Sequence, residues 1–381
     1  MTLDEARLTA LREEVEAYVR GPAEELSQEI ERRGQVPPEL WQDLRQRGYL
    51  RLAAPEEYGG RGVPFPRYLE LLERFSMSHA SIRMIVHVCN GIWRAMDQFA
   101  TDEQRRVFVL PQVSGEMRVA FTLTEPTAGT GADIRSTVVR EGDRYYLSGE
   151  KHLITFGVSC DYWLLFARVE GTKGADGTVA LMVDRHSEGA TVEEMPQTMG
   201  VRGTDHARIH FSRTPVPLAN RLGREGQGLE VALGGFLTPS RIAVAMTCVG
   251  LAQRAQELAL AHARVRRTFG KLLVERQAIS FALAENATEI EAARQLTLHA
   301  ARRWEAGDLG SRTLSSMAKL NAVDMLTRTT DRALQVHGGI GYWEPNPIER
   351  VYRDARAQRF EEGTNEIQKT VIARALLAPA G

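Results

Sequence analysis

Tyr145-Tyr146-Leu147-Ser148-Gly149-Glu150-Lys151-His152-Leu153-Ile154-Thr155 decides how the rest of the chain is read. Aromatic and β-branched residues mark its ends, and Glu141-Gly142-Asp143 supplies a turn just before it. Such a run predicts a strand. Similar short runs stand at 119–124, 162–169, 178–183 and 207–211. Gly, Asp and Pro separate them, as in Gly174-Ala175-Asp176-Gly177. Strands at this spacing predict a small sheet sandwich or barrel. Pro215 and Pro217 mark its exit, and a glycine-punctuated turn runs over 223–228.

Helical patterns flank this stretch on both sides. Toward the N-terminus, Leu8, Leu11, Val15, Tyr18 and Val19 share one helical face. Pro37-Pro38 opens a helix through Leu40, Trp41 and Leu44 that Gly48 stops. Thr101-Asp102-Glu103-Gln104 has the form of a capping box, and Pro111 with Gly115 closes the region. Toward the C-terminus, Ala-, Leu- and Arg-rich periodic runs cover about 241–266, 277–305, 312–336 and 364–377, with Thr364 able to cap the last. Helices of this length predict a bundle. The expected fold class is α+β, mostly α: an N-terminal helical domain over 1–117, a middle β-sandwich or barrel domain over 118–219, and a C-terminal four-helix bundle over 220–381.

The 381 residues exceed what one hydrophobic core usually serves. A net charge of −1 gives no global attraction to nucleic acid or anionic membrane. Cys89, Cys160 and Cys248 are far apart, which implies neither a disulfide framework nor a metal pair. The N-terminus shows no signal-peptide pattern, and no apolar stretch approaches the roughly 20 residues of a spanning helix. The expected compartment is the cytoplasm, with no metal, nucleic acid or membrane.

Five segments carry candidate chemistry. They are Phe121-Thr122-Leu123-Thr124-Glu125-Pro126 with Thr127-Ala128-Gly129, and Gly149 through Gly157. The others are Arg266-Arg267-Thr268-Phe269-Gly270-Lys271, then Gln335-Val336-His337-Gly338-Gly339, and Glu361-Glu362-Gly363-Thr364-Asn365-Glu366. Each alone has an ordinary reading: strand hydroxyls, a helix C-cap, a solvated glutamate. No Walker loop, zinc spacing, nucleophile elbow or Rossmann fingerprint competes with them.

Together and in this order, the segments resemble the acyl-CoA dehydrogenase family over nearly the whole chain. The resemblance implies FAD held between the β domain and the C-terminal helices, and across a subunit boundary. It implies that Phe121, Thr122, Leu123 and Thr124 border the flavin, with Thr124 bonding its polar edge. Leu153, Ile154 and Thr155 would lie along it, the Thr155 hydroxyl near N5. Gly129 and Thr130 would lie by the pyrophosphate or the substrate's phosphopantetheine. From a neighbouring subunit, Arg266, Thr268, Phe269 and Gln277 would serve the pyrophosphate and adenine side. Gln335, Gly338 and Gly339 would approach the diphosphate, and Thr364 and Glu366 would sit at a helix N-terminus suited to an anion.

Glu362 matches the family's catalytic base. It would take the α-proton of an acyl-CoA while the β-hydride goes to flavin N5, giving a trans-2-enoyl-CoA. Some members carry their base on the helix that here holds Ser240-Arg241, and serine cannot fill that role. Arg241, Thr238, Glu361 and Gly363 would border the substrate. The implied partners are an electron-transfer flavoprotein and further copies of the chain, as a homotetramer, with a place in fatty acid metabolism.

The pattern is broken at four places. Leu153 replaces the usual tryptophan over the flavin, which keeps open an oxygen-using oxidase or monooxygenase on the same fold. The loop through Gly129-Thr130-Gly131-Ala132-Asp133 is longer than the usual Gly-Ser-Asp. Glu361 stands where many members have tyrosine; turned inward, its carboxylate would disfavour a long plain acyl chain. Thr238 replaces an aspartate near the CoA adenine, so an acyl-carrier-protein thioester stays open. A catalytically silent binding protein and a metal hydrolase are the remaining alternatives, opposed by the neutral charge and the absence of ligand-spaced histidines.

Overall fold

In a computed structural model, which describes residues 5–128 and 133–378, the apolar stripe of the first helix is the start of the core. Leu11, Val15, Tyr18 and Val19 are all buried on α1 (Glu5–Arg20), and Leu8 packs against the same cluster. α2 (Pro22–Arg33) ends at left-handed Gly34, and α3 (Pro38–Gln46) is followed by left-handed Gly48. α4 (Phe65–Phe75) and α5 (Ala80–Asp97) follow. α5 is buried almost all round, Arg83 and His87 included, which marks it as a central helix. The capping box opens α6 (Asp102–Gln104): Thr101 Oγ1 accepts from the Gln104 N–H and Gln104 Oε1 from the Thr101 N–H. α7 (Leu110–Ser114), with Pro111 in its first turn, stops at left-handed Gly115.

The middle region is one eight-stranded sheet: β1 (Val119–Thr122), β2 (Thr137–Glu141), β3 (Arg144–Thr155), β4 (Tyr162–Val169), β5 (Thr178–Asp184), β6 (Ala190–Glu194), β7 (His206–Pro217) and β8 (Arg221–Leu222). The order is β6-β7-β3-β2-β4-β5-β8, with β1 pairing parallel to β4 beside β2. Alternation along β4 divides two cores. Trp163, Leu165 and Ala167 join residues of β3, β5 and β7 inside the curl of the sheet, whereas Leu164 and Phe166 meet helical residues such as Phe236. β2, β6 and β8 were not anticipated; they are short, and β6 is largely exposed. β7 also outruns its expected end. β6 stops opposite Phe211, so beyond that point β7 has a free edge on which Pro215 and Pro217 are tolerated.

The C-terminal part begins with α8 (Gly228–Glu230) and a π-helical turn over Val231–Leu237. It continues as α9 (Thr238–Val265), a hairpin of β9 (Arg267–Thr268) and β10 (Lys271–Leu272), α10 (Gln277–Glu305), α11 (Ser311–His337), α12 (Pro347–Ala357) and α13 (Asn365–Leu377). α12 is an element beyond the four expected runs. Thr364 holds the N-cap position of α13 with extended backbone, but its side chain makes no capping hydrogen bond. The helical run Gly228–Val265 corrects the expectation that no apolar stretch approaches membrane-spanning length. By length and composition it could span, but 89% of its most apolar window is buried inside the protein. Alanines at 252, 255, 259 and 263 let neighbouring helices approach it closely.

One ion-pair hub ties the three regions together. Glu31 on α2 accepts from Arg353 on α12 at 2.7 Å and from Arg202 before β7 at 3.3 Å, and lies 3.0 Å from His79 Nε2.

Candidate active site

The turn between α12 and α13 presents two adjacent glutamates to the central helices. Glu362 has left-handed backbone, φ +55°, an uncommon state for a residue with a side chain. Its carboxylate accepts a 2.8 Å hydrogen bond from Ser240 Oγ, and Ser240 in turn lies 2.7 Å from His87 Nε2 on α5. Burial pushes the Glu362 carboxyl up to about 7; the Ser240 hydrogen bond acts against this, and the nearby Glu361 charge adds to it. His87 is pushed down to about 3 by burial and by Arg83, so it stays neutral.

Several groups clamp the turn itself. Arg241 Nε and Gln368 Nε2 each donate to the Glu362 carbonyl at 3.1 Å, and Lys319 Nζ donates to the Gly363 carbonyl at 2.6 Å. Arg241 Nη1 is buried without a hydrogen-bond partner among the described residues. The Glu362 backbone N–H likewise meets no acceptor among them. Glu361 points elsewhere: Arg83 donates to both of its carboxylate oxygens at 3.2 Å, and Gln358 donates to one. Thr238 spends its hydroxyl on the Leu233 carbonyl inside the π-helical turn.

The sheet reaches this turn through Phe121, which stacks on Phe236 with ring centroids 4.6 Å apart, four residues before Ser240. The Thr124 carbonyl accepts from the His152 N–H, bringing the end of the first segment against β3. A register shift between Lys151 and Ile154, with Leu153 at φ +60°, leaves Leu153 54% exposed. Ile154 and Leu123 are buried, and Thr122 gives its hydroxyl to the Ala120 carbonyl. Thr124, Leu153 and Thr155 are therefore the side chains left toward the open side. Gly129 and Thr130 lie outside the described residues.

The remaining candidates split into two groups. Stacking of His262 on His337, centroids 4.6 Å apart, sets the C-terminal ends of α9 and α11 side by side. That neighbourhood gathers Arg266, Thr268 and Phe269 with Gln335, Gly338 and Gly339. Phe269 is 98% exposed, and Thr268 is held by Arg276. Gln277 opens α10 just beyond. Nothing lies within 4 Å of where a Cβ would stand on Gly338 or Gly339, so both leave an open cradle for a large ligand. Thr364 and Glu366 belong instead to the Glu362 end. Glu366 bonds its own backbone N–H, which holds its carboxyl below the usual range, so the chain's own anion sits at that helix start.

Residues not singled out from sequence complete the site. Lys151 and Glu125 form a fully buried ion pair at 2.8 Å, and Lys151 also donates to the Leu123 carbonyl. Glu125 accepts from the Arg135 and Ser136 N–H groups as well. This pair pins the Thr-Glu-Pro turn beneath β3. Its signal was a charged residue in each of two otherwise strand-like segments. Arg83 and His87 had a similar signal, four residues apart on an apolar helix. Among the described residues, no group of three or more His, Cys, Asp or Glu is placed to hold a metal ion.

Comparisons with known proteins agree with this architecture. The chain matches the acyl-CoA dehydrogenase N-terminal domain over residues 5–116, the middle domain over 120–214 and the C-terminal domain over 226–377. It is 34% identical to an acyl-CoA dehydrogenase of Bacillus subtilis, covering 93% of each chain. It is 33% identical, again over 93% of each, to the caffeyl-CoA reductase-Etf complex subunit CarC of Acetobacterium woodii. Among solved structures it is similar to butyryl-CoA dehydrogenase from Megasphaera elsdenii, with a TM-score of 0.92, 30% identity and 99% of each chain covered. The chain belongs to the acyl-CoA dehydrogenase family, flavin-dependent oxidoreductases acting on acyl-CoA thioesters.

Proposed function

We propose that the chain removes the α-proton of an acyl-CoA with the Glu362 carboxylate. The observation that supports this best is an enclosed carboxyl pushed up to about 7 and oriented by Ser240. Glu362 accepts the α-proton at the carboxylate oxygen left free by Ser240. The unpartnered Glu362 N–H is a donor for the thioester carbonyl as charge develops on it. Arg241 and Lys319 hold the turn so that neither group must reorganise.

FAD fits the open face at Thr124, Leu153 and Thr155 and the glycine cradle at Gly338 and Gly339, and when bound it supplies the two-electron acceptor. α9 is a continuous helix with Arg241 near one end and Arg266 just past the other, so the two lie ~37 Å apart. Arg266 and its neighbours therefore cannot serve the Glu362 of their own chain, and the site is completed by a neighbouring copy in a homo-oligomer. An electron-transfer flavoprotein is the proposed redox partner, in keeping with the name of the Acetobacterium relative. That relative is named a reductase, so the same site run from enoyl to acyl is the second reading.

The test is anaerobic bleaching of the bound flavin by a panel of acyl-CoAs, with Glu362→Gln beside the natural enzyme. Bleaching that disappears in the variant supports the reading. Bleaching that survives it removes Glu362 from the chemistry.

A further inference from the structure

Several helical hydroxyls in this protein close on their own backbone. Ser27, Thr297 and Thr330 each donate to the carbonyl four residues back. Ser240 is turned to other elements instead. Its one hydrogen goes to Glu362 Oε1 at 2.8 Å, and the same oxygen lies 2.7 Å from His87 Nε2 on α5. If that ring nitrogen were bare, it would compete with Glu362 for the hydrogen. The direction of the Ser240 hydroxyl is therefore decided by where the His87 ring carries its proton.

The surroundings of the ring separate the choices. His87 is 4% exposed, and its Nδ1 is buried with no hydrogen-bond partner among the described residues. With Glu362 ionised and the proton on Nδ1, that N–H is unmatched, and Nε2 and Glu362 must share one hydrogen. Two groups then go short. With the proton on Nε2, only the Nδ1 lone pair is unused. A doubly protonated ring would again strand the Nδ1 N–H, and would set a second cation beside Arg83, one helical turn earlier on α5. Burial and the Arg83 charge both oppose it, and Glu361, which pairs with Arg83, only partly offsets them. The remaining charged groups, Arg241 and Lys319, face the Glu362 end of the chain.

We propose that His87 is a positioning residue for the base: carrying its proton on Nε2, it donates to Ser240 Oγ and so commits the Ser240 hydrogen to Glu362. Both hydrogens then point toward the carboxylate. One Glu362 oxygen is held by this chain, and the other is presented to the substrate. The inference rests on Glu362 being the α-proton acceptor.

Two measurements test it. Solid-state 15N spectra of histidine-labelled holoenzyme at pH ~8, with His87→Gln to assign the signal, report the tautomer directly. The expected signal has a protonated Nε2 and a bare Nδ1. A proton on Nδ1, alone or in an imidazolium, overturns this inference and leaves the Glu362 reading standing. The second measurement is flavin bleaching by acyl-CoA across pH, taken per bound flavin so that unfolded protein does not enter. His87→Leu should lose ~3- to 10-fold at pH ~7 and little at pH ~9. His87→Gln, whose amide can donate from near the Nε2 position, should recover most of that loss. Adding His87→Leu to Ser240→Ala should change the rate at pH ~7 by less than ~2-fold, because His87 acts through Ser240. Losses that multiply in the double variant, or a His87→Leu profile identical to the natural one, overturn the inference. Bleaching that survives Glu362→Gln overturns the Glu362 reading and this inference with it.

Discussion

Ser240 donates a 2.8 Å hydrogen bond to the Glu362 carboxylate, and the same hydroxyl lies 2.7 Å from a neutral, buried His87. The bond stabilises the charged form of Glu362, while burial opposes it and leaves the carboxyl at about 7. Reduction of the flavin by substrate should therefore rise with pH through about 7, as the base ionises. Ser240→Ala removes a contact that favours the anion and should move this limb upward. We expect a loss of ~3- to 10-fold at pH 7 and little change at pH 9, read from stopped-flow bleaching across pH. For stability the sign is opposite. A folded value above the ordinary one contributes stability that is full below about 4.5 and is lost as pH rises through about 7.

The Arg83–Glu361 pair should show the asymmetry of buried ions. Arg83→Met strands the Glu361 carboxylate and should cost about 3–5 kcal/mol in urea unfolding. Arg83→Met with Glu361→Leu should recover most of that, because the stranded charge is gone. A double variant no more stable than the single one would show that the pair acts through something other than mutual neutralisation.

Glu31 should set the acid limit of the fold. Burial raises its carboxyl, but hydrogen bonds from His79 and Arg353 outweigh that and hold it at about 2. Its contribution is present above the ordinary value of 4.5 and is lost as pH falls through about 2. Glu31→Gln should thus lose about 3 kcal/mol at pH 7 and much less near pH 2, measured by denaturant unfolding at both.

Lys151→Met should release flavin. Burial pushes the Lys151 ammonium down to about 8, with Glu125 acting to raise it, and the pair anchors the turn under Leu153 and Thr155. We expect purified variant with roughly tenfold weaker FAD retention, read from the ratio of flavin to protein absorbance. Full retention would show that the turn is held well enough by the Glu125 bonds to Arg135 and Ser136.

The helix–sheet–helix order was legible because its signals are local: four-residue apolar steps, a Thr101–Gln104 capping box, glycines closing turns. β6 escaped because most of its residues are exposed and its last two are glutamates, and α12 because it is short and its charged residues are buried through tertiary partners such as Glu31. At the site, Glu362 could be placed by its neighbours in sequence. Its supports could not. Ser240, His87, Arg83 and Lys319 come from three different helices, and only the packing of α5, α9 and α11 brings them to one turn. Glu361 shows the same limit, since the residue that receives its carboxylate is 278 positions away.

The length of α9 also has a genetic consequence. With Ser240 at one tip and Arg266 at the other, the proposed shared site would have each copy donate a proton acceptor to one centre and a cofactor grip to another. Two inactive alleles, Glu362→Gln and a variant that loses the β9–β10 hairpin beside Arg266, should then complement each other when co-expressed. The mixed assembly would contain some centres built wholly from intact halves and others doubly damaged. Recovered activity would be capped near the fraction that chance pairing allows, and a chain carrying both lesions would rescue neither.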